Sequence, residues 1–295
     1  MPSRLRTLKN QVHFSTQLAV SLRAKNEHQL RGEIVRTGQM MYERGWIAAN
    51  DGNLSARLDD TRILVTPTGM CKARMDPDDL LICDNDGNKI RGKRECSTEM
   101  AMHVAIYKLR PDIQSVVHAH PPFSTGFAVA GRALNLGLMP ELILTLGSVP
   151  LAEYGLPGTP ALVEGMLPLI PRFDAILLAN HGAVCYGENI LGAYGRMETL
   201  EHLARIALVA EMLGGPKVLP RSEIQKLFDA RKRYGVQTPN RFEPGNPLAA
   251  EDLPDPGQRI ETTRKELLML LDEALLHRSA EDRALGRGAN GHHGD

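Results

Sequence analysis

The sequence predicts a domain of the α/β class, because short apolar segments with the pattern of strands alternate with amphipathic segments of helical periodicity. Clusters of Gly, Pro, Asn and Asp separate these segments. With 295 residues, 42% of them hydrophobic, the chain can bury a sizeable core. We expect one such domain over 29–238 after an N-terminal arm over 1–28. The remaining 239–295 are expected to form a Pro/Gly-rich linker, a short helix and a disordered tail.

The first half of the domain is predicted to contain two helices and three strands. Apolar residues from Leu30 to Met41 recur among charges at helical spacing, whereas the following Gly-, Asn- and Asp-rich segment, 45–57, is interpreted as a loop. Ser97 is a suitable helix cap, and Pro111 would end the same helix. In order, we expect a helix over 29–44, strands over 63–66 and 80–83, a turn at Asp86-Gly87, a helix over 97–109 and a strand over 113–120.

The second half of the domain has a weaker pattern in its middle and a clear one after it. We expect helices over 123–130 and 160–169 and a strand over 149–154. The apolar segment 175–178 predicts a strand that ends before Asn180-His181-Gly182, and 193–213 predicts a long helix stopped by Gly214-Gly215. The short helix of the C-terminal extension is expected over 260–276.

Charge and composition exclude several classes of partner. Lys+Arg and Asp+Glu each number 35, so no net field would draw the protein to nucleic acid or to a membrane surface. The apolar runs fall short of the roughly 20 residues that cross a bilayer, and the N-terminus does not have the pattern of a secretory signal. We therefore expect a cytoplasmic protein. Four scattered cysteines indicate reduced thiols, with Cys185 buried in a strand.

Three histidines are the candidate metal ligands. His118 and His120 lie two apart in a predicted strand, so their imidazoles project to the same side. His181 follows a second apolar strand. Taken alone, the pair could equally be a partly exposed pair without function, but Val116-Val117 before it and Pro121-Pro122 after it indicate a strand end. Three neutral nitrogens suit catalytic zinc with an open position, although iron, manganese or cobalt would also fit.

A candidate anion site lies at the beginning of the helix predicted over 97–109. Ser97 and Thr98 offer hydroxyls, and Glu99 adds a carboxylate, where unpaired backbone N–H groups favour an anion. The alternative is a capped helix with a favourably placed acidic residue. Two further tight loops, at Gly52-Asn53 and Thr68-Gly69, favour a phosphate or carboxylate cradle. His103, next to Met100 and Ala101, is interpreted as a packing residue.

Five short segments follow one another in a fixed order along the chain. They are Gly52-Asn53-Leu54-Ser55, Thr66-Pro67-Thr68-Gly69, Ser97-Thr98-Glu99, His118-Ala119-His120 and Asn180-His181-Gly182. Taken in this order, they resemble the signature segments of the class II aldolase/adducin family, and most closely its L-fuculose-1-phosphate aldolase-like members. The resemblance covers about 30–213. It implies an α/β fold with a central, mainly antiparallel sheet flanked by helices, and a homotetramer with active sites at subunit interfaces.

The resemblance also implies roles for single residues. His118, His120 and His181 would hold the metal, and Glu99 would be the catalytic acid/base. Tyr154 is similar to the family's tyrosine that reaches a neighbouring subunit's site and protonates the leaving aldehyde oxygen; a packed tyrosine at a strand end is the alternative. The implied ligands of a substrate phosphate are Asn53, Thr68, Gly69, Ser97 and Thr98.

These implications lead to a prediction of function with two rivals. The first is a zinc-dependent lyase that cleaves a sugar phosphate, or a similar hydroxy-carbonyl compound, by a retro-aldol reaction through a metal-stabilised enediolate. The second keeps the metal site but decarboxylates or dehydrates another oxygenated acid. The third is a noncatalytic scaffold like the adducin head domain. Converging imidazoles argue against the scaffold, since it has no physical need for them.

Overall fold

The computed structural model describes residues 27–234 and 248–253, and a central sheet organises this part of the chain. Its strands are β1 (Asn53–Arg57), β2 (Arg62–Val65), β3 (Leu81–Asp84), β4 (Lys89–Arg91), β5 (Ser115–Ala119), β6 (Leu151–Ala152), β7 (Ala175–Leu178) and β8 (Gly182–Gly187). Their spatial order is β4-β3-β2-β1-β5-β8-β7-β6. Neighbours are antiparallel except β6 and β7, which are parallel.

Helices pack against both faces of the sheet, so the predicted fold class is confirmed. The helices are α1 (27–43), α2 (Met100–Leu109), α3 (Pro122–Val129), α4 (Pro140–Thr145), α5 (Pro160–Glu164), α6 (Ile190–Met212) and α7 (Arg221–Ala230). One apolar layer joins the sheet to α1, α3, α4 and α6, and a second joins it to α2 and α5. Short 3-10 turns cover Lys72–Arg74, Pro77–Asp79, Arg231–Tyr234 and Ala250–Asp252.

Strand alternation divides the side chains of β1 and β5 between these two layers. Leu54 and Val117 belong to the layer beneath α1, α3, α4 and α6, whereas Val116 belongs to the layer beneath α2 and α5. Successive side chains point to opposite faces, so Asn53 and His118 share the α2 side of the sheet. They are also opposite each other in the β1–β5 register. The polar residues of these central strands therefore face α2.

Several predicted elements are confirmed with small shifts, and one interpretation is wrong. The strand predicted over 175–178 is Ala175–Leu178, and Gly87 forms the predicted hairpin turn with φ +87°. The segment 45–57, however, ends in β1, a central strand, and is not all loop. Its residues are too small and polar to give the alternating pattern of a strand. They form one because contacts across the sheet, which no local pattern shows, stabilise them there.

The remaining differences concern element ends. The predicted helix over 97–109 begins at Met100, and the one over 160–169 ends at Glu164. The strand predicted over 149–154 has two residues, Leu151 and Ala152. The long helix starts at Ile190, where the side chain of Asn189 accepts a hydrogen bond from the Gly192 N–H. The strand β8 contains Cys185, which is fully buried as predicted.

The described residues after 247 add two contacts to the fold. Leu248 pairs with Leu136, and Ala249 is buried against α4 and α7 beside Ile143 and Phe228. Of the arm predicted over 1–28, residues 27 and 28 belong to α1 instead, and 1–26 lie outside the described residues, as do the predicted helix over 260–276 and the tail. Within the described ranges, no helix is both long and apolar enough to pass through a membrane.

The strand β4 lies at one edge of the sheet, and its three side chains are exposed. Lys89 forms an ion pair with Glu95, and Arg91 forms one with Glu27. The edge is therefore lined by charged side chains.

Candidate active site

The structure brings the three predicted histidines together at one end of the central strands. His118 lies in β5, His120 follows that strand directly, and His181 lies in the turn between β7 and β8. Their ring centroids are 4.8 to 5.1 Å apart. One nitrogen of each ring lies within 4.8 Å of the corresponding nitrogens of the other two. This spacing allows a single ion to contact all three.

The turn that carries His181 depends on local backbone geometry. Asn180 adopts a left-handed conformation with φ +55°, which asparagine tolerates better than most residues. The next residue, Gly182, leaves room for a neighbouring ring, because a Cβ atom there would lie 2.5 Å from His120 Cδ2 and 2.6 Å from the Ala119 oxygen. A glycine at this position is therefore required by the close approach of His120.

The polar atoms of the cluster fit a divalent cation. His118 Nδ1 donates to the Ala183 carbonyl at 2.9 Å, which leaves the Nε2 lone pair free to bind a metal. His118 Nε2, His120 Nε2 and His181 Nδ1 are buried and have no hydrogen-bond partner within the described part of the chain. Burial lowers the pKa of His118 and of His120, so both rings are neutral at pH 7, as metal ligation requires. Imidazole donors of this kind suit zinc and several other transition metals.

Glu99 lies against this cluster from the start of α2. Its Oε1 is 3.1 Å from His181 Nε2, and its Oε2 is 3.4 Å from His118 Nε2. Asn53 Nδ2 donates to Oε2 at 2.7 Å. Burial alone would raise the pKa of Glu99, but the charge that His118 and His181 carry when protonated, together with hydrogen bonds from His181 and Asn53, outweighs it and lowers the pKa. The carboxylate is therefore ionised and next to the candidate ion site.

The predicted anion-binding segments meet beside Glu99. Asn53 Nδ2 also donates to Ser97 Oγ at 3.3 Å, and the Ser97 hydroxyl accepts a further bond from the Glu99 N–H at 3.2 Å. Ser97 thus caps the turn that leads into α2 and does not cap a helix that begins at 97. The Thr68 N–H donates to the Glu95 carbonyl at 3.0 Å, which holds the Thr68-Gly69 loop along the segment before Ser97.

Thr98 and the predicted tyrosine lie on the open side of these loops. Thr98, Thr68 and Gly69 are exposed. A Cβ atom at Gly158 would lie 3.3 Å from Thr98 Cβ, so the loop containing Gly158 runs beside the anion segment. Tyr154 is 60% exposed, so it is not packed within this chain. No described contact of this chain joins Tyr154 to Glu99 or to the three histidines.

Two charged residues of the site do not stand out in the sequence. Lys72 is 2% exposed, and its Nζ donates to the carbonyls of Asn50 (2.7 Å) and Met70 (2.9 Å). It thereby ties together the two loops that carry Asn53 and Gly69, and burial lowers its pKa to about 8. Asp51 Oδ2 lies 3.6 Å from His120 Nδ1. Both residues come from polar loops whose pattern gave no signal.

A third residue, His103, is indicated by the sequence pattern to be a packing residue, but it is hydrogen-bonded to the site. His103 is 2% exposed, and its ring bonds Asn53 on one side and Ser55 on the other. Ser55 in turn contacts the Tyr107 hydroxyl. The sequence carries a signal for this group, since Glu99, His103 and Tyr107 recur every four residues and so share one face of α2.

The fold and the site together define an α/β domain with a candidate three-histidine cation site beside an anion-binding surface. The chain belongs to the class II aldolase and adducin N-terminal domain family, whose model matches residues 32–208. The resemblance inferred from the sequence motifs is therefore confirmed.

The chain is similar to individual proteins that are named for two different reactions. The 3-oxo-tetronate 4-phosphate decarboxylase of Pectobacterium atrosepticum is 33% identical over 210 residues, which are 70% of this chain and 93% of that protein. The 5-deoxy-D-ribulose 1-phosphate aldolase of Bacillus thuringiensis serovar kurstaki is 32% identical over 209 residues, 70% of this chain and 97% of that one. A solved structure of L-fuculose 1-phosphate aldolase matches with a TM-score of 0.65 and 28% identity over 70% of this chain and 97% of that chain. The protein is thus an enzyme of the class II aldolase superfamily.

Proposed function

We propose that the protein is a divalent-metal-dependent carbon–carbon lyase that acts on a phosphorylated hydroxy-ketone. The observation that carries this proposal is the direct link between the two halves of the site, in which Asn53 bonds both Glu99 and Ser97. A substrate whose carbonyl lies at the histidines would then have its phosphate beside Ser97. Relatives named for phosphorylated substrates support the same class.

In this proposal His118, His120 and His181 hold the cation, which we take to be zinc, with another divalent transition metal as the alternative. When bound, the cation supplies Lewis-acid stabilisation of the negative charge that develops on the substrate oxygens. The phosphate is held by Asn53, Thr68, Gly69, Ser97 and Thr98 through side-chain and backbone donors. The positive charge of Lys72 lies behind two of these loops and favours an anion there.

Glu99 carries the proton of the reaction. In a retro-aldol cleavage, the hydroxyl of the departing carbon loses its proton, the carbon–carbon bond breaks, and an aldehyde leaves. The bonding electrons remain on the ketone fragment as an enediolate, whose carbon then takes a proton. Glu99 is ionised and close to the histidines, so it can take up a proton from solvent, deliver it to that carbon and recover it in the reverse reaction.

Tyr154 is the proposed proton carrier for the departing oxygen, and it acts in a neighbouring subunit. In cleavage it relays the hydroxyl proton to solvent, and in the reverse condensation it donates a proton to the aldehyde oxygen. Its exposure in this chain supports that role, because a side chain that serves another subunit must project from its own. The proposal therefore includes a homotetramer with sites at subunit interfaces.

Decarboxylation is a second candidate, favoured by the similarity to the Pectobacterium enzyme. A 3-oxo acid that carries a phosphate on the far side of its ketone leaves the same kind of enediolate when carbon dioxide departs. Glu99 and the phosphate loops keep their roles, because the enediolate still has to be protonated. Carbon dioxide leaves without loss of a hydroxyl proton, so Tyr154 has no proton to relay.

One experiment tests the proposal and separates the two reactions. The zinc-loaded full chain is incubated with a ketose 1-phosphate and, separately, with a 3-oxo-tetronate 4-phosphate, and release of aldehyde or carbon dioxide is measured. We expect Tyr154→Phe to lower kcat about 10- to 100-fold for aldehyde release and less than twofold for carbon dioxide release. Tyr42→Phe is the matched control, since Tyr42 is an exposed tyrosine of α1.

Two outcomes would count against the proposal. Release of neither product by the zinc-loaded chain would refute lyase activity on these substrates. If the purified protein also held no metal after zinc supplementation, the noncatalytic scaffold would be the better description.

A further inference from the structure

A chain of hydrogen bonds runs from the carboxylate of Glu99 into the layer between the sheet and α2. Asn53 Nδ2 donates to Glu99 Oε2 at 2.7 Å, and Asn53 Oδ1 bonds His103 Nε2. His103 Nδ1 lies 2.6 Å from Ser55 Oγ, which lies 2.8 Å from the Tyr107 hydroxyl. Asn53, Ser55, His103 and Tyr107 are each no more than 4% exposed.

The chemistry of the groups fixes the direction of every bond in this chain. An ionised carboxylate only accepts, so the Asn53 amide must present its N–H to Glu99 and its carbonyl to His103. His103 Nε2 must then carry a hydrogen. Burial lowers the pKa of His103 to about 4, so the ring is neutral and its Nδ1 accepts from the Ser55 hydroxyl. The Ser55 oxygen is left to accept from Tyr107, whose pKa burial raises.

The same bond directions determine whether Ser97, in the candidate anion site, donates or accepts a hydrogen bond. The Ser97 oxygen accepts from Asn53 Nδ2 and from the Glu99 N–H, which occupies both of its lone pairs. Its own hydrogen is therefore available to an incoming anion. In the opposite amide orientation, the Asn53 oxygen would face the Glu99 carboxylate, which has no hydrogen to donate. It would also accept the Ser97 hydrogen, which would then no longer be available to the anion.

We infer that His103 is a positioning residue that holds the Asn53 amide in one orientation, so that Ser97 is a donor to the substrate phosphate. Ser55 and Tyr107 hold His103 in the tautomer that this requires. The inference rests on the proposed function only in taking the anion to be a substrate phosphate. A residue that merely filled space at 103 would leave the direction of these bonds undefined.

The first test is spectroscopic and needs neither substrate nor phosphate. A long-range ¹H–¹⁵N spectrum of the labelled, zinc-loaded full chain at pH 7 should show His103 with a protonated Nε2 and an unprotonated Nδ1. In Tyr107→Phe, the Nδ1-protonated form should appear as a second population. A wild-type His103 that is protonated on Nδ1, or on both nitrogens, would overturn the inference, and so would a Tyr107→Phe spectrum identical to that of the wild type.

The second test measures the affinity for inorganic phosphate by titration calorimetry at constant zinc content. His103→Gln offers an N–H and a carbonyl in place of the two ring nitrogens and should bind within about threefold of the wild type. His103→Leu fills a similar volume without polar atoms and should bind at least tenfold more weakly. Equal affinity in the wild type and in His103→Leu would contradict the inference, as would equal weakening in both variants.

The two proposals fail separately. Lyase activity can be absent while the His103 tautomer and the phosphate affinities follow the expectation, and the reverse combination would leave the lyase proposal standing.

Discussion

The two faces of the sheet are both buried, yet they differ in how their buried polar side chains are bonded. Under α1, α3 and α6, these groups bond within a helix or at its start: Thr37 Oγ1 donates to the Glu33 carbonyl, and the Glu201 carboxylate accepts from the N–H groups of Phe123 and Ser124 and from the Ser124 hydroxyl at the start of α3. Under α2, side chains bond one another in a chain that ends at Glu99. A carboxylate can thus be buried either to stabilise a helix or to react.

The largest effect that would test this comparison is expected on kcat when Glu99 is replaced. Glu99→Gln keeps the shape and can still accept from Asn53, but it cannot carry a proton, so we expect kcat to fall about 1000-fold or more with zinc content unchanged. The measurement is steady-state turnover beside metal analysis. Glu201→Gln is the matched control from the other face and should keep its kcat. A fully active Glu99→Gln would remove the assigned role.

The pH dependence of stability provides the next largest effect. The folded-state pKa of His103 is about 4 against an unfolded value of 6.5, so the unfolded chain binds more protons between these values and stability falls as the pH drops from 6.5 towards 4. The contribution is about 3 kcal/mol. His103→Gln should lose this part of the acid sensitivity in urea unfolding at pH 7 and pH 4, measured with a chelator present.

The control for that experiment is His202→Gln, because His202 is exposed on α6. It should retain the acid sensitivity of the wild type. Identical pH profiles for His103→Gln and the wild type would mean that His103 is not buried as a neutral ring.

A third effect concerns the space around the histidines. In Gly182→Ala the new Cβ atom would displace the His120 ring, so we expect zinc affinity to fall about 10- to 100-fold, as for other changes that reorient a ligand. Competition with a chromophoric chelator measures it. Gly195→Ala, whose Cβ would meet nothing within 4 Å on α6, should leave zinc affinity unchanged. A tight-binding Gly182→Ala would show that His120 can move without cost.

The smallest effect is expected for a change under α3, on the face of the sheet that α1, α3 and α6 cover. Glu201→Gln removes the negative charge at the start of α3 and leaves one oxygen to serve donors that two now serve. We expect the free energy of unfolding to fall by about 1–2 kcal/mol. Urea denaturation measures this loss, and a change in kcat larger than the change in stability would indicate that the two faces are not independent.

The sequence predicted the three histidines of the candidate site better than the hydrogen-bonded side chains between the sheet and α2. His118, His120 and His181 adjoin apolar strands, and strand alternation alone brings the first two to one side. The strand β1 was missed because Asn53 and Ser55 are stabilised by partners on α2, about 50 positions away in the chain. No local pattern reports such contacts. Lys72 was missed for the same reason, because its role depends on bonds to the carbonyls of two separate loops.

The charged edge of the sheet at β4 has a consequence for the protein at high concentration. Lys89 and Arg91 flank the exposed Ile90 on the outermost strand, where the unpaired backbone would otherwise accept a strand from a second molecule. Bringing two such edges together would remove the ion pairs of Lys89 with Glu95 and of Arg91 with Glu27 from water, which costs free energy. Growth of the sheet from one molecule to the next, the route by which open sheets form fibrils, is therefore disfavoured at this end.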